Sequence, residues 1–151
     1  MQPMDRTSES QSKLTGRLQP MRTRDSSERG SYGQELILDL HDCDSKKFTR
    51  HHIERFCTQL CDLIDMERCD LHFWDDLGVP EEEQQTDPKT KGTSAVQFIL
   101  TSTIVIHTLD LMRAAYVNIF SCKAFDTDEA ADFTAKWFDS KAWTSNVVIR
   151  R

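Results

Sequence analysis

The sequence predicts an α+β fold: a two-layer α/β sandwich in which a mainly antiparallel sheet carries two helices on one face. Short segments with the two-residue period of half-buried strands recur along the chain. Two longer segments instead place apolar residues at helical spacing. Some strands follow one another without a helix between them, which gives the sheet its antiparallel character. A length of 151 residues suits one such domain with a core of its own.

The chain divides into an N-terminal extension and one domain. Residues 1–32 are rich in Ser, Thr, Gln, Arg and Pro and lack apolar periodicity, so we expect them to be disordered. They hold six Lys/Arg and four Asp/Glu, which leaves 13 basic and 21 acidic residues, a net charge of −8, for the domain at residues 33–151. An acidic body is a poor partner for nucleic acid. The sequence has no apolar run of membrane-helix length and no signal segment, so we expect a cytoplasmic protein without membrane contacts.

A strand and a helix open the domain. In segment 35–41 leucine recurs at every second position, which predicts a half-buried strand. The segment from Thr49 to about Asp65 has a single apolar stripe at helical spacing, which predicts a helix packed on the sheet. The stripe consists of Ile53, Phe56, Cys57, Leu60, Leu63 and Ile64.

A second strand and a long loop come next. The strand is predicted at Cys69–Trp74, and the polar segment 75–92 with Pro80 and Pro88 is predicted to be a loop. Its length exceeds that of a usual connection. It is therefore either a lid over a site or an insertion at the surface.

Three more strands are predicted before the second helix. Segment 94–108 is rich in β-branched residues but too polar in its middle for one strand. We divide it at residues 101–103 into two strands. Residues 115–122 alternate between two faces and predict the third strand.

A helix and an edge strand complete the domain. Asp126 is a suitable N-cap, with Glu129 three residues later, for a helix that runs to about Ser140. Residues 146–149 are expected to add an edge strand.

The cysteines predict neither disulfides nor a metal site. Their number, five, is odd in a chain without an export signal, so we expect free thiols. Cys57 and Cys61 lie one helical turn apart near His51 and His52, and a metal could be imagined there. The spacing matches no zinc motif, however, and cysteine often fills cores as a small hydrophobe.

Four polar residues lie on otherwise apolar predicted strands: Ser94, Ser102, His107 and Cys122. The chain contains no phosphate-binding loop, no zinc-protease motif, no nucleophile elbow and no dinucleotide fingerprint. Taken singly, the serines are explained as turn residues, the histidine as a satisfied core imidazole and the cysteine as a core filler. Their chemistry therefore depends on their arrangement.

That arrangement resembles the core of the bacterial-type S-adenosylmethionine decarboxylases, a family of pyruvoyl enzymes. The resemblance spans about Gly33 to Ser140 and includes the segments Leu36–Asp44, Gly92–Ser94, Thr101–Thr108 and Phe120–Cys122. It implies that Ser102 becomes the pyruvoyl cofactor, that Ser94 and His107 assist processing, and that Cys122 donates a proton during decarboxylation. It also implies a homodimer with active sites at the subunit interface.

The chemistry of these roles can be stated from first principles. Decarboxylation of an amino acid leaves a carbanion, and a ketone conjugated to an amide supplies the electron sink that no ordinary side chain offers. Attack of the Ser102 hydroxyl on the Thr101 carbonyl would cleave the chain between residues 101 and 102. His107 is a suitable base, Ser94 can stabilise the oxyanion, and a Cys122 thiol with an ordinary pKa near ~8.5 can return a proton.

The chain departs from the family pattern at two places. Thr101 stands where the family has Glu, and Leu109–Leu111 stands where it has Trp-Pro-Glu, which contacts the nucleoside. Loss of these contacts predicts a pyruvoyl decarboxylase acting on a basic amino acid, arginine or ornithine. Its distal cation needs a carboxylate, for which Asp110 is the nearest candidate and Glu81–Glu83 a remoter one, while Trp74 is a candidate for stacking on the substrate.

Two alternatives remain open. The chain could still act on S-adenosylmethionine, with Trp74 or the long loop replacing the lost contacts. It could also be a non-catalytic member of the family that binds a partner or regulates an active relative.

Overall fold

A computed structural model describes residues 30–151, so almost all of the predicted N-terminal extension lies outside the described residues. The described part contains six strands, two α-helices and two short 3-10 helices at Ser45–Lys47 and Glu81–Glu83. The longer elements are β1 (Gly33–His41), α1 (Arg50–Leu63), β2 (Arg68–Trp74), β3 (Gly92–Ile99), β4 (Ser102–Leu109), β5 (Ala114–Ser121), α2 (Thr127–Trp137) and β6 (Ala142–Arg150). Among these residues no helix combines the length and apolarity needed to span a membrane.

The strands form one antiparallel sheet in the order β2-β3-β4-β5-β1-β6. Consecutive strands β2 to β5 pair with their neighbours in the chain, and β1 lies between β5 and β6. Both helices pack against the same face of this sheet, where their apolar side chains meet those of the strands. The predicted two-layer α+β sandwich is confirmed.

The core lies between the sheet and the helices. The alternating leucines of β1 are buried, as the sequence predicts, in the same core as the apolar stripe of α1. Phe56 of α1 lies 5.1 Å, between ring centroids, from Phe138 at the end of α2. Both helices have side-chain caps: the Asp126 carboxylate, predicted as the cap of α2, accepts from the backbone N–H of Glu129, and Thr49 Oγ1 caps α1 by accepting from that of His52. The caps and the apolar stripes fix where the helices lie on the sheet.

The last strand differs from the prediction. The sequence predicts an edge strand over 146–149, but β6 is nine residues long and pairs with β1 along its whole length. All nine of its residues are exposed, and β6 forms one edge of the sheet. A strand without a buried face has no apolar alternation, so its pattern in the sequence is weak.

The face of the sheet opposite the helices, here called the open face, has no helix over it in the described part of the chain. Aligned positions on β2 to β5 form cross-strand rows on this face, and one row is Trp74, Ser94, His107 and Tyr116. Several side chains here are apolar and partly or largely exposed, including Val96, Phe98, Val105 and Phe120. An apolar sheet face of this kind is typical of a surface that is covered in the functional state.

The long loop is fastened to the domain. Asp75 pairs with Arg50 at the start of α1 through two hydrogen bonds of 2.7 Å. Asp76 accepts from the backbone N–H of Gln85 and lies 3.4 Å from Lys91 Nζ. These contacts tie both ends of the loop to each other and to α1. From the sequence, this loop is either a lid over a site or an insertion at the surface.

Candidate active site

Ser102 lies at the first position of β4, directly after the two-residue turn that joins it to β3. Its hydroxyl is almost fully buried and is held by the residue that follows β5. Ser102 Oγ accepts a hydrogen bond of 3.2 Å from the backbone N–H of Cys122 and donates one of 3.7 Å to Cys122 Sγ. The pairing of β4 with β5 thus brings together two residues that are 20 positions apart.

Thr101 completes this group, which we call the cleavage corner (Thr101, Ser102 and Cys122). Its φ of +58° is in the left-handed region. Its Oγ1 donates to Leu100 O at 2.7 Å and lies 3.2 Å from Cys122 Sγ. When the Cys122 thiol ionises, the hydroxyls of Thr101 and, to a lesser extent, Ser102 can donate to the thiolate, which lowers the pKa of Cys122. The corner opens onto a cavity of about 230 Å³.

Ser94 and His107 form a second group, on the open face. The two residues are paired across β3 and β4, and Ser94 Oγ lies 2.8 Å from His107 Nδ1. They line a cavity of about 560 Å³, here called the aromatic cavity, together with Trp74, Lys89, Leu109 and Tyr116. Trp74 is 57% exposed, so its ring is available to a ligand.

The two groups do not meet within one chain. Ser102 and His107 are five residues apart on the same strand, which separates their backbones by about 17 Å at the rise of an antiparallel strand. The odd spacing also places them on opposite sides of the pleat, and His107 is on the open face. The structure therefore joins Ser102 with Cys122, and Ser94 with His107, but it does not place the histidine within reach of the cleavage corner.

Asp110, the carboxylate predicted to bind a substrate cation, lines a different cavity, of about 450 Å³, with Asp75, Asp76 and Lys91. Burial raises the pKa of Asp110, and nearby Lys91 opposes the shift. The aromatic cavity has no Asp or Glu in its lining, which includes Lys89 instead. Of the two predicted substrate contacts, only Trp74 lies in the same cavity as His107.

The cysteines of α1 belong to the core. Cys57 and Cys61 are fully buried, and burial raises the pKa of Cys57 to about 12 and that of Cys61 to about 11. The ring of nearby His52 packs on Trp137 at 4.9 Å between centroids. Within residues 30–151, no group of three or more His, Cys, Asp or Glu is arranged to hold a metal ion. Packing accounts for these residues.

Sequence reasoning missed Tyr116 and Lys89. Tyr116 pairs with His107 across β4 and β5, and Lys89 lies on the long loop. The only sequence signal for Tyr116 is its position in the alternation of β5, which becomes informative once the strand register is known.

The reactivity of Cys122 tests the geometry of the cleavage corner. In a Ser102→Ala background, replacing Thr101 by valine removes the hydroxyl that favours the thiolate, so the thiol pKa rises. We expect the alkylation of Cys122 by iodoacetamide at pH 8 to slow by roughly two- to fivefold. Residue-resolved mass spectrometry measures the rate, with exposed Cys69 as the internal control. An unchanged rate at Cys122 would contradict the hydrogen bond.

Comparison with known proteins identifies relatives of this domain. The family model described as S-adenosylmethionine decarboxylase matches residues 34–151. The crystal structure of the adenosylmethionine decarboxylase from Aquifex aeolicus VF5 superposes with a TM-score of 0.64 at 18% identity, covering 81% of this chain and 92% of that one. Comparison with curated protein sequences gives no match. At this identity the structural likeness supports the fold, and the family match covers nearly the whole described domain.

Proposed function

Since this chain belongs to the S-adenosylmethionine decarboxylase family, we propose that it is a self-processing decarboxylase that uses Ser102 as its cofactor precursor and S-adenosylmethionine as its substrate. Enzymes of this family are pyruvoyl-dependent decarboxylases, and they form the pyruvoyl group from an internal serine by self-cleavage. The observation that carries the assignment of that serine is the cleavage corner, in which a buried hydroxyl follows a tight turn and is bonded to Cys122.

Self-cleavage at Ser102 proceeds through bonds of the chain itself. Ser102 Oγ bonds to the carbonyl carbon of Thr101, its proton passes to the amide nitrogen, and the C–N bond breaks to leave an ester and a free amine. A base then removes the Cα proton of residue 102, and the Cβ–O bond breaks to release Thr101 as a carboxylate. The resulting enamine tautomerises, takes up water and loses ammonia, which leaves a keto group at the start of fragment 102–151.

The residues of the cleavage corner fit a pyruvoyl group at position 102. The keto carbon would be the former Cα of Ser102, in the residue whose hydroxyl is bonded in the precursor to the Cys122 thiol and to its backbone N–H. Once formed, it supplies the electron sink for loss of CO2 from an amino acid. Cys122 holds the proton that the substrate carbon needs afterwards, and hydrogen bonding that lowers the thiol pKa makes the thiol a stronger acid.

A second copy of the chain is needed to bring a base to the cleavage corner. His107, with Ser94 fixing its ring, is about 17 Å away in the same chain. A two-fold axis running across the strands, between two open faces, would reverse the strand direction of the partner and place its His107 end over the Ser102 end. The base would then approach residue 102 from the side opposite its hydroxyl, which suits removal of the Cα proton. The exposed apolar side chains of the open face support such a contact. We therefore propose a homodimer with two composite sites.

The aromatic cavity favours S-adenosylmethionine over a basic amino acid. Trp74 and Tyr116 offer ring faces to an adenine and to a sulfonium cation. A guanidinium or a side-chain ammonium requires a carboxylate, but the lining contains Lys89 instead, and Asp110 lies in another cavity. The leading hypothesis from the sequence, arginine or ornithine, thus has less support than its alternative.

One observation favours the basic amino acids as a second candidate. Leu109 lines the aromatic cavity at a position where the resemblance places a stacking tryptophan, and Leu111 stands where it places a carboxylate. Trp74, at the end of β2, could take the role of the missing tryptophan. S-adenosylmethionine, the first candidate substrate, requires this arrangement.

A substrate panel separates the two candidates. We expect CO2 release from S-adenosylmethionine and none from arginine or ornithine. Replacing Trp74 by alanine should raise KM for S-adenosylmethionine by about tenfold, since stacking of a base on an aromatic ring contributes about 1–3 kcal/mol. Trp143→Ala, on exposed β6, is the matched control and should leave KM unchanged. Release of CO2 from arginine or ornithine alone would reject S-adenosylmethionine as the substrate.

A further inference from the structure

We propose that Thr101 is a positioning residue whose strained, left-handed backbone accelerates self-cleavage at the peptide bond that follows it. The proposal rests on the proposed function, because it requires that the chain is processed at Ser102. It concerns a position at which the chain departs from the pattern that it resembles, with threonine in place of glutamate.

Thr101 is unusual among the residues with positive φ. The others, in the described residues, are Asp42, Asp65, Arg113, Asp139 and Gly78. Aspartate and glycine tolerate the left-handed region, whereas a β-branched side chain there clashes with the backbone. Thr101 is the only β-branched residue of the described chain in this conformation, and it lies directly before the proposed cleavage point.

The surrounding structure holds the strained conformation in place. The turn has only two residues, Leu100 and Thr101, and the pairing of Ile99 with Ser102 closes it. Only the second turn residue has positive φ, an arrangement that normally selects glycine or asparagine at that position. The Thr101 hydroxyl bonds to Leu100 O and contacts Cys122 Sγ. Strain persists where neighbouring contacts determine the geometry to this extent.

Self-cleavage releases this strain. Before the reaction, Thr101 is joined to Ser102 by a planar peptide bond within a closed hairpin turn. When the Thr101 acyl group is transferred from the amide nitrogen to Ser102 Oγ, an ester with additional rotatable bonds replaces that peptide bond and the turn can relax. Elimination then leaves Thr101 at a free chain end. Because the strain is present in the precursor and decreases along the reaction, it lowers the barrier to cleavage.

The strain itself can be measured without any cleavage. In a Ser102→Ala background, Thr101→Gly removes the clash at unchanged φ, and we expect Tm to rise by about 2–4 °C. Thr103→Gly, in the extended strand beside it, is the matched control and should lower Tm, because glycine there only adds freedom to the unfolded chain. A Tm that falls for Thr101→Gly would overturn the proposal.

The cleavage rate then distinguishes a positioning role from a purely structural one. With Ser102 present, Thr101→Gly should slow the appearance of fragments about tenfold although it stabilises the precursor, whereas Thr101→Val, which keeps the β-branch but loses the hydroxyl contacts, should cleave faster than Thr101→Gly. Asp42→Gly relieves a positive φ in a distant turn and should leave the rate unchanged. Equal rates for Thr101→Gly and the wild type would overturn the proposal. A wild-type chain that never cleaves would instead reject the proposed function, and the positioning role with it.

Discussion

Replacing Ser102 by alanine should leave the protein as one 17.5 kDa chain and abolish CO2 release from S-adenosylmethionine. Without the hydroxyl, the cleavage corner has no nucleophile to attack the Thr101 carbonyl carbon, and no keto group forms. The wild-type protein should instead give two fragments, residues 1–101 and 102–151. Intact-mass spectrometry measures both outcomes, and the second fragment should react with a carbonyl reagent at its first residue.

The small size of the substitution makes this result easy to interpret. Loss of the Ser102 hydroxyl removes its two hydrogen bonds to Cys122, which costs about 1–3 kcal/mol and does not unfold a domain of this size. Ser145→Ala, on exposed β6, is a matched control that should be processed normally. If the wild-type chain also stays intact, the non-catalytic alternative becomes the better account of this protein.

Much of the fold could be predicted because an element with one buried face has apolar residues at regular spacing in the sequence. The leucines of β1 and the predicted apolar stripe of α1, apart from Leu63, which is exposed, face one core, so their spacing indicates both the element and its buried side. Strand β6 has no buried side, and its extent could not be found in this way. Its length is determined by pairing with β1, which is a long-range contact that local patterns do not encode.

The sequence singles out the residues of the candidate site but does not give their geometry. Ser102 and Cys122 meet because β4 and β5 pair, and that contact agrees with the roles that the resemblance implies. Ser94 and His107 also meet, but near the other end of β4, where it pairs with β3. The pleat separates residues five apart to different faces, so a short spacing in sequence does not bring His107 to Ser102. Asp110 is also not a neighbour of His107, because it lies past the end of β4 and lines another cavity.

Mixed dimers should recover activity that neither parent variant has. Ser102→Ala lacks the nucleophile and His107→Ala lacks the base, so each homodimer is expected to remain unprocessed. In a heterodimer with composite sites, one site carries both substitutions and the other carries none. We therefore expect about half the wild-type rate per heterodimer, with cleavage confined to the chain that carries His107→Ala.

Two differently tagged chains, expressed together and purified through both tags, provide this heterodimer. The tags also show by mass which chain is cleaved. His107 is exposed on the open face, so its replacement by alanine should leave the core intact. When Ser94→Ala is used instead of His107→Ala, we expect the same pattern with a smaller effect. If each chain used its own His107, the mixture would stay uncleaved, because every chain would lack either the nucleophile or the base. Recovery in the chain that lacks the histidine can arise only when a second copy supplies it, so this result would establish a site composed of residues from two chains.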